Sequence, residues 1–260
     1  MKISLIITTY NWKEALDAVL KSVIRQTRLP DEVIIADDGS RDDTAELIKS
    51  WKTSFPVPLI HSWQEDTGFR LAMSRNRAIA KASGEFLIMI DGDMVLSDRF
   101  VESYEKSARK GWFIQGGRVI TNEVCRDRII KQGYRPGFFS AGIRNRKNAI
   151  SNIVLSKIFS FERNNDKATR GCSMAFWKDD VVDVNGFDNR FVGWGREDSE
   201  FVLRMLHSGK RRLYLKFAAV AFHLYHNENT RDSLPENDKL LEDTSVNKIK
   251  VAPDGLNVFM

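Results

Sequence analysis

The chain has 260 residues, 42% hydrophobic and 29% charged, the balance of a globular protein with a sizeable core. Sixteen glycines and six prolines are too few for a collagenous or low-complexity chain, and no apolar run approaches the ~20 residues that span a bilayer. Cys125 and Cys172 have no partner at disulfide or zinc spacing, and Ile3 to Ile7 is too short for a signal peptide, so a cytoplasmic setting is expected.

Ile3 to Thr8 is a short apolar run bounded by polar residues, the pattern of a buried strand. Asn11 is placed to cap a helix whose Leu16, Val19, Leu20 and Val23 recur at helical spacing. After Pro30-Asp31 comes a second strand, Glu32 to Ala36, then a helix opening at Asp42 or Asp43 and a third strand, Val57 to His61. Arg70 to Ala82 reads as a helix closed by Ser83-Gly84, and Phe86 to Ile90 as a fourth strand. This alternation predicts an α/β fold with a mostly parallel sheet flanked by helices, and ligands in such sheets bind beyond the carboxyl ends of the strands. Polar clusters fall at those ends: Thr8 to Asn11, Asp37 to Ser40 and Asp91 to Asp93.

Periodicity fades from about Val119 to Thr169, where only Ile150 to Phe161 looks like an amphipathic helix. A strand at Cys172 to Trp177, a helix after Gly195, a strand at Arg212 to Phe217 and a helix after Pro235 complete the reading, with no internal repeat or interdomain linker. Net charge is +5 but uneven: Arg118 to Arg170 holds twelve Lys and Arg against four acids, while Asn227 onward holds seven acids against four bases. A basic excess suits an anionic partner or a solvated loop. Together with the apolar residues of 150–161, it makes an anionic membrane surface one candidate partner.

Several constellations carry chemistry. In extended backbone, Asp91 and Asp93 face the same way with Cα atoms about 6.6 Å apart, and two such acids repel unless a cation or donor lies between them. A polar Asp-Gly turn is the competing reading. Asp37-Asp38-Gly39-Ser40 suits either a turn or a carboxylate aimed at a base or ribose. Gly68-Phe69-Arg70 and Arg75 form a loop and helix start whose arginines bring forked guanidinium donors that fit a diphosphate, or else form a solvated helix face. In Gly193-Trp194-Gly195-Arg196-Glu197-Asp198, the acids suit a helix N-terminus, and Trp194 between two glycines suits a sugar-stacking platform. His223 and His226 end a strand, where either could reach a cation at Asp93.

In this order, these residues resemble the family 2 glycosyltransferases of the GT-A fold, over roughly residues 2–120 and 170–226. Ser4 to Asn11 looks like that family's first strand and nucleotide loop, and Asp91-Gly92-Asp93 looks like its metal motif. Gly193 to Asp198 is similar to a motif shared with β-1,4-galactosyltransferases and chondroitin-type polymerase domains. The resemblance implies one GT-A domain. Residues 1–118 form its nucleotide-sugar half, 119–170 a basic insert, 171–226 an acceptor and catalytic half, and 227–260 a tail.

The resemblance further implies nucleotide-sugar contacts from Thr8, Tyr10, Asn11, Asp37, Gly68, Arg70, Arg75, Asp91 and Trp194. It implies Mn²⁺ or Mg²⁺ held by Asp93, Asp91 and His223, with His226 the alternative to His223. Asp198 would be the catalytic base, and Glu197 would line the sugar site. Arg196 stands where relatives often have a small residue. The implied activity is inverting, metal-dependent transfer from a nucleotide sugar, UDP-linked by preference, to a glycan or glycolipid. The implied setting is bacterial polysaccharide or lipopolysaccharide synthesis, cytoplasmic or peripheral on the inner membrane face. A sugar-phosphate nucleotidyltransferase is the nearest rival, but Thr8 to Trp12 lacks the Gly-rich triphosphate loop. A nucleic-acid-binding protein using the basic, aromatic-bearing insert is the other, and no nucleic-acid partner is expected.

Overall fold

The computed structural model describes residues 1–227 and 230–260. β1 (Ile3–Thr9), α1 (Lys13–Val23), β2 (Glu32–Asp37), α2 (Asp42–Lys52), β3 (Leu59–Trp63), α3 (Leu71–Lys81) and β4 (Phe86–Asp91) follow the predicted alternation. The four strands are parallel, in the order β3-β2-β1-β4. Their side chains alternate between two cores. Ile3, Leu5, Ile7, Val33, Ile35, Ile88 and Ile90 pack on one face, and Ile6, Ile34, Leu87 and Met89 on the other. Burial on both faces is why these strands read as continuous apolar runs, each large aliphatic side chain contributing about 1.5–3 kcal/mol.

Two local expectations are corrected. β3 begins two residues later than Val57, because Pro58 has no N–H for the ladder and supplies only its carbonyl, to Val33 N–H at 2.9 Å. Asn11 does not cap α1. The helix starts after Trp12 with no side-chain cap, while Asn11 sits left-handed (φ 49°) and its Oδ1 accepts the Arg41 N–H at 3.0 Å. Its polarity stitches the β1 loop to the β2 loop instead.

Beyond β4 come β5 (Met94–Leu96), α4 (Phe100–Ser107), β6 (Trp112–Gln115), β7 (Val119–Thr121), α5 (Glu123–Gln132) and β8 (Ile143–Arg144). Then follow α6 (Ile153–Phe159), β9 (Phe161–Glu162), β10 (Ser173–Trp177), α7 (Lys178–Asp183), α8 (Glu197–His207), β11 (Arg211–Tyr214), β12 (Ala221–His223) and α9 (Leu234–Val246). The main sheet continues β4-β10-β6-β11-β9, with β10 antiparallel to both neighbours. A smaller sheet, β5-β12-β7-β8, stands beside it. The architecture is thus the expected mostly parallel α/β sheet flanked by helices, with a C-terminal region.

α6 is shorter than the expected 150–161. The Asn152 side chain caps it by accepting the N–H groups of Val154 and Leu155, and Phe161 leaves it to pair in β9. The tail is packed. Thr244 of α9 donates to Glu200 of α8 at 3.1 Å, and Asn189 donates to Asp254 at 2.9 Å. No helix among the described residues is long and apolar enough to cross a membrane.

Candidate active site

A cleft of about 1270 Å³ opens at the carboxyl ends of β1 and β4, between the two sheets and the N-terminus of α8. Thr8 and Asp91 are partners across the β1–β4 ladder, and Thr8 Oγ1 donates to Asp91 Oδ1 at 3.2 Å. Only glycine fits at position 92, since a Cβ there would lie 2.3 Å from the Thr8 carbonyl oxygen. That close approach turns the chain from β4 into β5 and brings Asp93 to the cleft.

Asp93 meets both histidines. Its Oδ2 lies 3.2 Å from His223 Nε2 and 3.2 Å from His226 Nε2, and the three ligand atoms fall within 4.8 Å of one another. The sequence posed His223 and His226 as alternatives, and the structure assembles both. Asp91 stands outside this trio and is engaged by Thr8 and Arg75 instead. The two Asp93–imidazole separations of 3.2 Å leave the three donor atoms close enough to share one cation. Asp93 Oδ1 and His223 Nδ1 are buried without a hydrogen-bond partner, so the residues present fit a cation. Burial holds the His223 pKa below its ordinary value and so favours the neutral, ligating imidazole, whereas the hydrogen bond to Asp93 raises that of His226.

The opposite wall is the start of α8. Arg75, expected on a solvated face or at a diphosphate, is 1% exposed and clamped between acids. Its Nη1 donates to Glu197 Oε1 at 3.1 Å and its Nη2 to Asp91 Oδ1 at 3.4 Å, while its guanidinium carbon lies 5.1 Å from the Phe187 ring centroid. Burial, reinforced by the charge of Asp198, pushes the Glu197 carboxyl up to about 7 despite Arg75. Asp198 accepts the Gly171 N–H on Oδ2 and the Ser199 N–H on Oδ1, both at 2.7 Å, which fixes its rotamer. Arg196 precedes them left-handed (φ 78°), a conformation cheapest for glycine, and pairs with Asp238. Trp194 is 40% exposed on the cleft wall. Gly193 beneath it has φ 75° and stands so close to Ser233 that a Cβ would meet its Oγ at 2.2 Å. Asn237 of α9 donates to the carbonyls of Val192 and Gly195, so the tail shapes this loop.

Not every expected nucleotide contact faces the cleft. Thr8, Tyr10, Arg75, Asp91 and Trp194 line it. Asn11, Asp37, Gly68 and Arg70 do not. Asp37 is fully buried behind the wall, bound to His61 Nε2 at 2.7 Å and to the Ser40 N–H at 2.8 Å. The neighbouring acid, Asp38, is the one at the wall, held by the Arg70 N–H at 2.9 Å and Gln64 Nε2 at 2.6 Å. Gly68, at φ 90°, donates to Asp66 in the flanking loop.

Asp38 carries a pH prediction. Burial raises its carboxyl to about 6 from 3.8 against its hydrogen bonds. The folded protein therefore holds a proton that the unfolded chain releases, and stability falls as pH rises from about 4 to 6, by at most about 3 kcal/mol. Thermal melts at pH 4.5 and 7 should show this loss in the wild type and a smaller one in Asp38→Asn. Equal pH dependence in both would refute the assignment.

Comparison with known proteins agrees with this geometry. Residues 4–172 match the family model of glycosyl transferase family 2. The chain belongs to that family. Residues 156–227 match a second family model, described as the N-terminal domain of galactosyltransferase, which runs from within α6 past β12 and so covers the second wall of the cleft. Among curated relatives, the family 2 chain is 28% identical over 224 residues to a chondroitin synthase of Pasteurella multocida, covering 80% of this chain and 23% of that protein. It is 34% identical over 103 residues to the validoxylamine A glucosyltransferase of Streptomyces hygroscopicus, covering 39% of this chain and 22% of that one. It thus spans about a quarter of the length of these relatives. Among solved structures, the mannosyltransferase PcManGT of Pyrobaculum calidifontis, in complex with GDP-Man and Mn²⁺, superposes with TM-score 0.63 at 17% identity, over 97% of this chain and 66% of that one. S. aureus TarS superposes with TM-score 0.64 at 17% identity, over 95% and 40%. The fold is therefore the GT-A fold, in a chain related to galactosyltransferase- and chondroitin-synthase-like enzymes.

Proposed function

We propose that this family 2 chain transfers a sugar from a nucleotide sugar, preferably UDP-linked, to a glycan hydroxyl in polysaccharide or lipopolysaccharide synthesis, with inversion at the anomeric carbon. The observation that carries the reading is one cleft in which Asp93, His223 and His226 face Glu197 and Asp198 across the carboxyl ends of β1 and β4. A nucleotide placed there meets Thr8, Tyr10 and Asp38, with Asp91 toward the ribose. A divalent cation held by Asp93 and the two histidines would neutralise the departing diphosphate. Two imidazoles beside one carboxylate favour Mn²⁺ over Mg²⁺, which prefers an all-oxygen shell. Asp198, fixed by two backbone N–H groups, takes the proton as the acceptor oxygen bonds to the anomeric carbon and the sugar–phosphate bond breaks. Glu197 and Trp194 orient the sugar. Arg75 ties the Asp91 side of the cleft to the Glu197 side and keeps the two walls in register.

Hydrolysis of UDP-, GDP-, CMP- and dTDP-sugars with Mn²⁺ and no acceptor tests the reading. One donor should be turned over, and its hydrolysis should stop in EDTA. Turnover of none of the four, with Mn²⁺ present, would contradict it.

A peripheral membrane contact is the second reading, favoured by the exposed apolar side of α6. Ile153, Val154, Ile158 and Phe159 are each more than half exposed, and Lys157 lies among them. Each basic residue near an anionic bilayer contributes roughly 1 kcal/mol, weakened by salt. The protein should co-sediment with anionic vesicles at low salt and be released at high salt. Equal, negligible binding to neutral and anionic vesicles would leave α6 a solvated surface.

A further inference from the structure

Six arginines and no lysine line the cleft among the described residues: Arg75, Arg118, Arg144, Arg170, Arg196 and Arg231. Arg75 is clamped between Glu197 and Asp91, Arg196 is paired with Asp238, and Arg231 lies over the Trp194 ring with 5.3 Å from guanidinium carbon to centroid. The other three stand apart. Arg118, Arg144 and Arg170 all come from the basic segment, and none forms an ion pair with a described carboxylate. Arg118 donates only a long bond to Cys172 Sγ at 3.7 Å, and its Nε is buried with no partner. Although Asp38, Asp91, Asp93, Glu197 and Asp198 also line the cleft, none of them pairs with these three guanidinium groups, which leaves their forks open to an anion.

Their placement says which anion. The β1–β4 half, where the nucleotide is placed, contributes Thr8, Thr9, Tyr10, Asp38, Phe69 and Leu71 to the cleft but no cation other than the clamped Arg75. The three arginines lie on the far side of β4. Arg170 directly precedes Gly171, whose N–H holds the Asp198 carboxylate at 2.7 Å, so its backbone stands beside the proposed base. Arg144 is on β8, and the register β12–β7–β8 places His223, Ile120 and Arg144 on one rung. All three line the cleft. At about 4.8 Å per strand spacing, Arg144 starts roughly 10 Å beyond His223, on the side away from β1. Arg118 closes the inner end of this row beside Cys172.

We infer, on the glycosyltransferase reading above, that the acceptor is an anionic saccharide whose carboxylate or phosphate is held by Arg144 and Arg170, with Arg118 at the inner end of the same row. Guanidinium forks bind either group through paired N–H bonds, so the structure assigns the charge of the acceptor. Specificity would follow from a neutral acceptor leaving the three cations uncompensated.

The test is calorimetric, on the full chain loaded with Mn²⁺ and UDP. Three probes are titrated: a glucuronate-terminated disaccharide, a hexose 6-phosphate and neutral cellobiose. Wild type should bind one of the anionic probes at least tenfold more tightly than cellobiose, and which one it prefers separates carboxylate from phosphate. The double variant Arg144→Gln/Arg170→Gln changes exposed side chains, which keeps folding out of the comparison. It should lose that preference while its affinity for UDP with Mn²⁺ shifts less than twofold. Binding of UDP with no preference for either anionic probe would overturn the inference. A parallel tenfold loss of UDP affinity in the variant would also overturn it, by giving these arginines to the donor diphosphate. Failure of wild type to bind UDP with Mn²⁺ would remove the glycosyltransferase reading itself, and this proposal with it.

Discussion

Asp93→Ala should abolish transfer, lowering kcat/KM by about 10³-fold or more, and should weaken UDP binding at least tenfold in Mn²⁺. Asp93 is the one described carboxylate that meets both histidine Nε2 atoms, so its loss dismantles the proposed cation site while the backbone bond from Leu224 N–H to the Asp93 carbonyl survives. The variant should keep its fold, since removing Asp93 relieves its unpartnered Oδ1. Transfer assays with parallel melts check this. Full wild-type activity in excess EDTA, or an active Asp93→Ala, would sink the metal assignment.

Asp198→Asn should lower kcat by roughly 10²-fold or more while leaving UDP affinity within about twofold. The amide fills the same space but cannot take a proton, and one of its two ends can still accept from Gly171 or Ser199. Glu197→Gln should act differently. Successive residues at a helix start diverge by about 100°, and here one acid faces Arg75 while the other faces Gly171. The Glu197 variant should raise acceptor KM more than it lowers kcat. It should also erase a pH dependence: with its carboxyl near 7, Glu197 ionises across neutrality, so wild-type kcat/KM should rise from pH 6 to 8 and the Gln variant's profile should lose that limb. A near wild-type Asp198→Asn beside a dead Glu197→Gln would reverse the two roles.

The parallel half of the sheet was legible because β1, β2 and β4 are buried on both faces and leave unbroken apolar runs such as Phe86 to Ile90. The small sheet was not. Its strands are two or three residues long, too short for a period, and β8 of Ile143–Arg144 pairs with β7 at the sheet edge. The acids of the site announced themselves as pairs at strand and helix ends, yet sequence could not say which member turns inward. At Asp37-Asp38 the first is taken by His61 on the neighbouring strand and the second reaches the cleft wall. Arg75 was visible as a diphosphate candidate, but its two carboxylate partners lie 16 and 122 positions away. The basic segment was conspicuous by charge alone. That Arg118, Arg144 and Arg170 share one cleft follows from tertiary packing, which no local pattern encodes.

The cation proposed on Asp93, His223 and His226 should hold the diphosphate of the nucleotide in the cleft. Calorimetric titration of UDP into the protein, once with saturating Mn²⁺ and once with EDTA, measures this. Binding should be at least tenfold tighter with Mn²⁺, a gain that disappears in Asp93→Ala. Identical isotherms in Mn²⁺ and EDTA would contradict it.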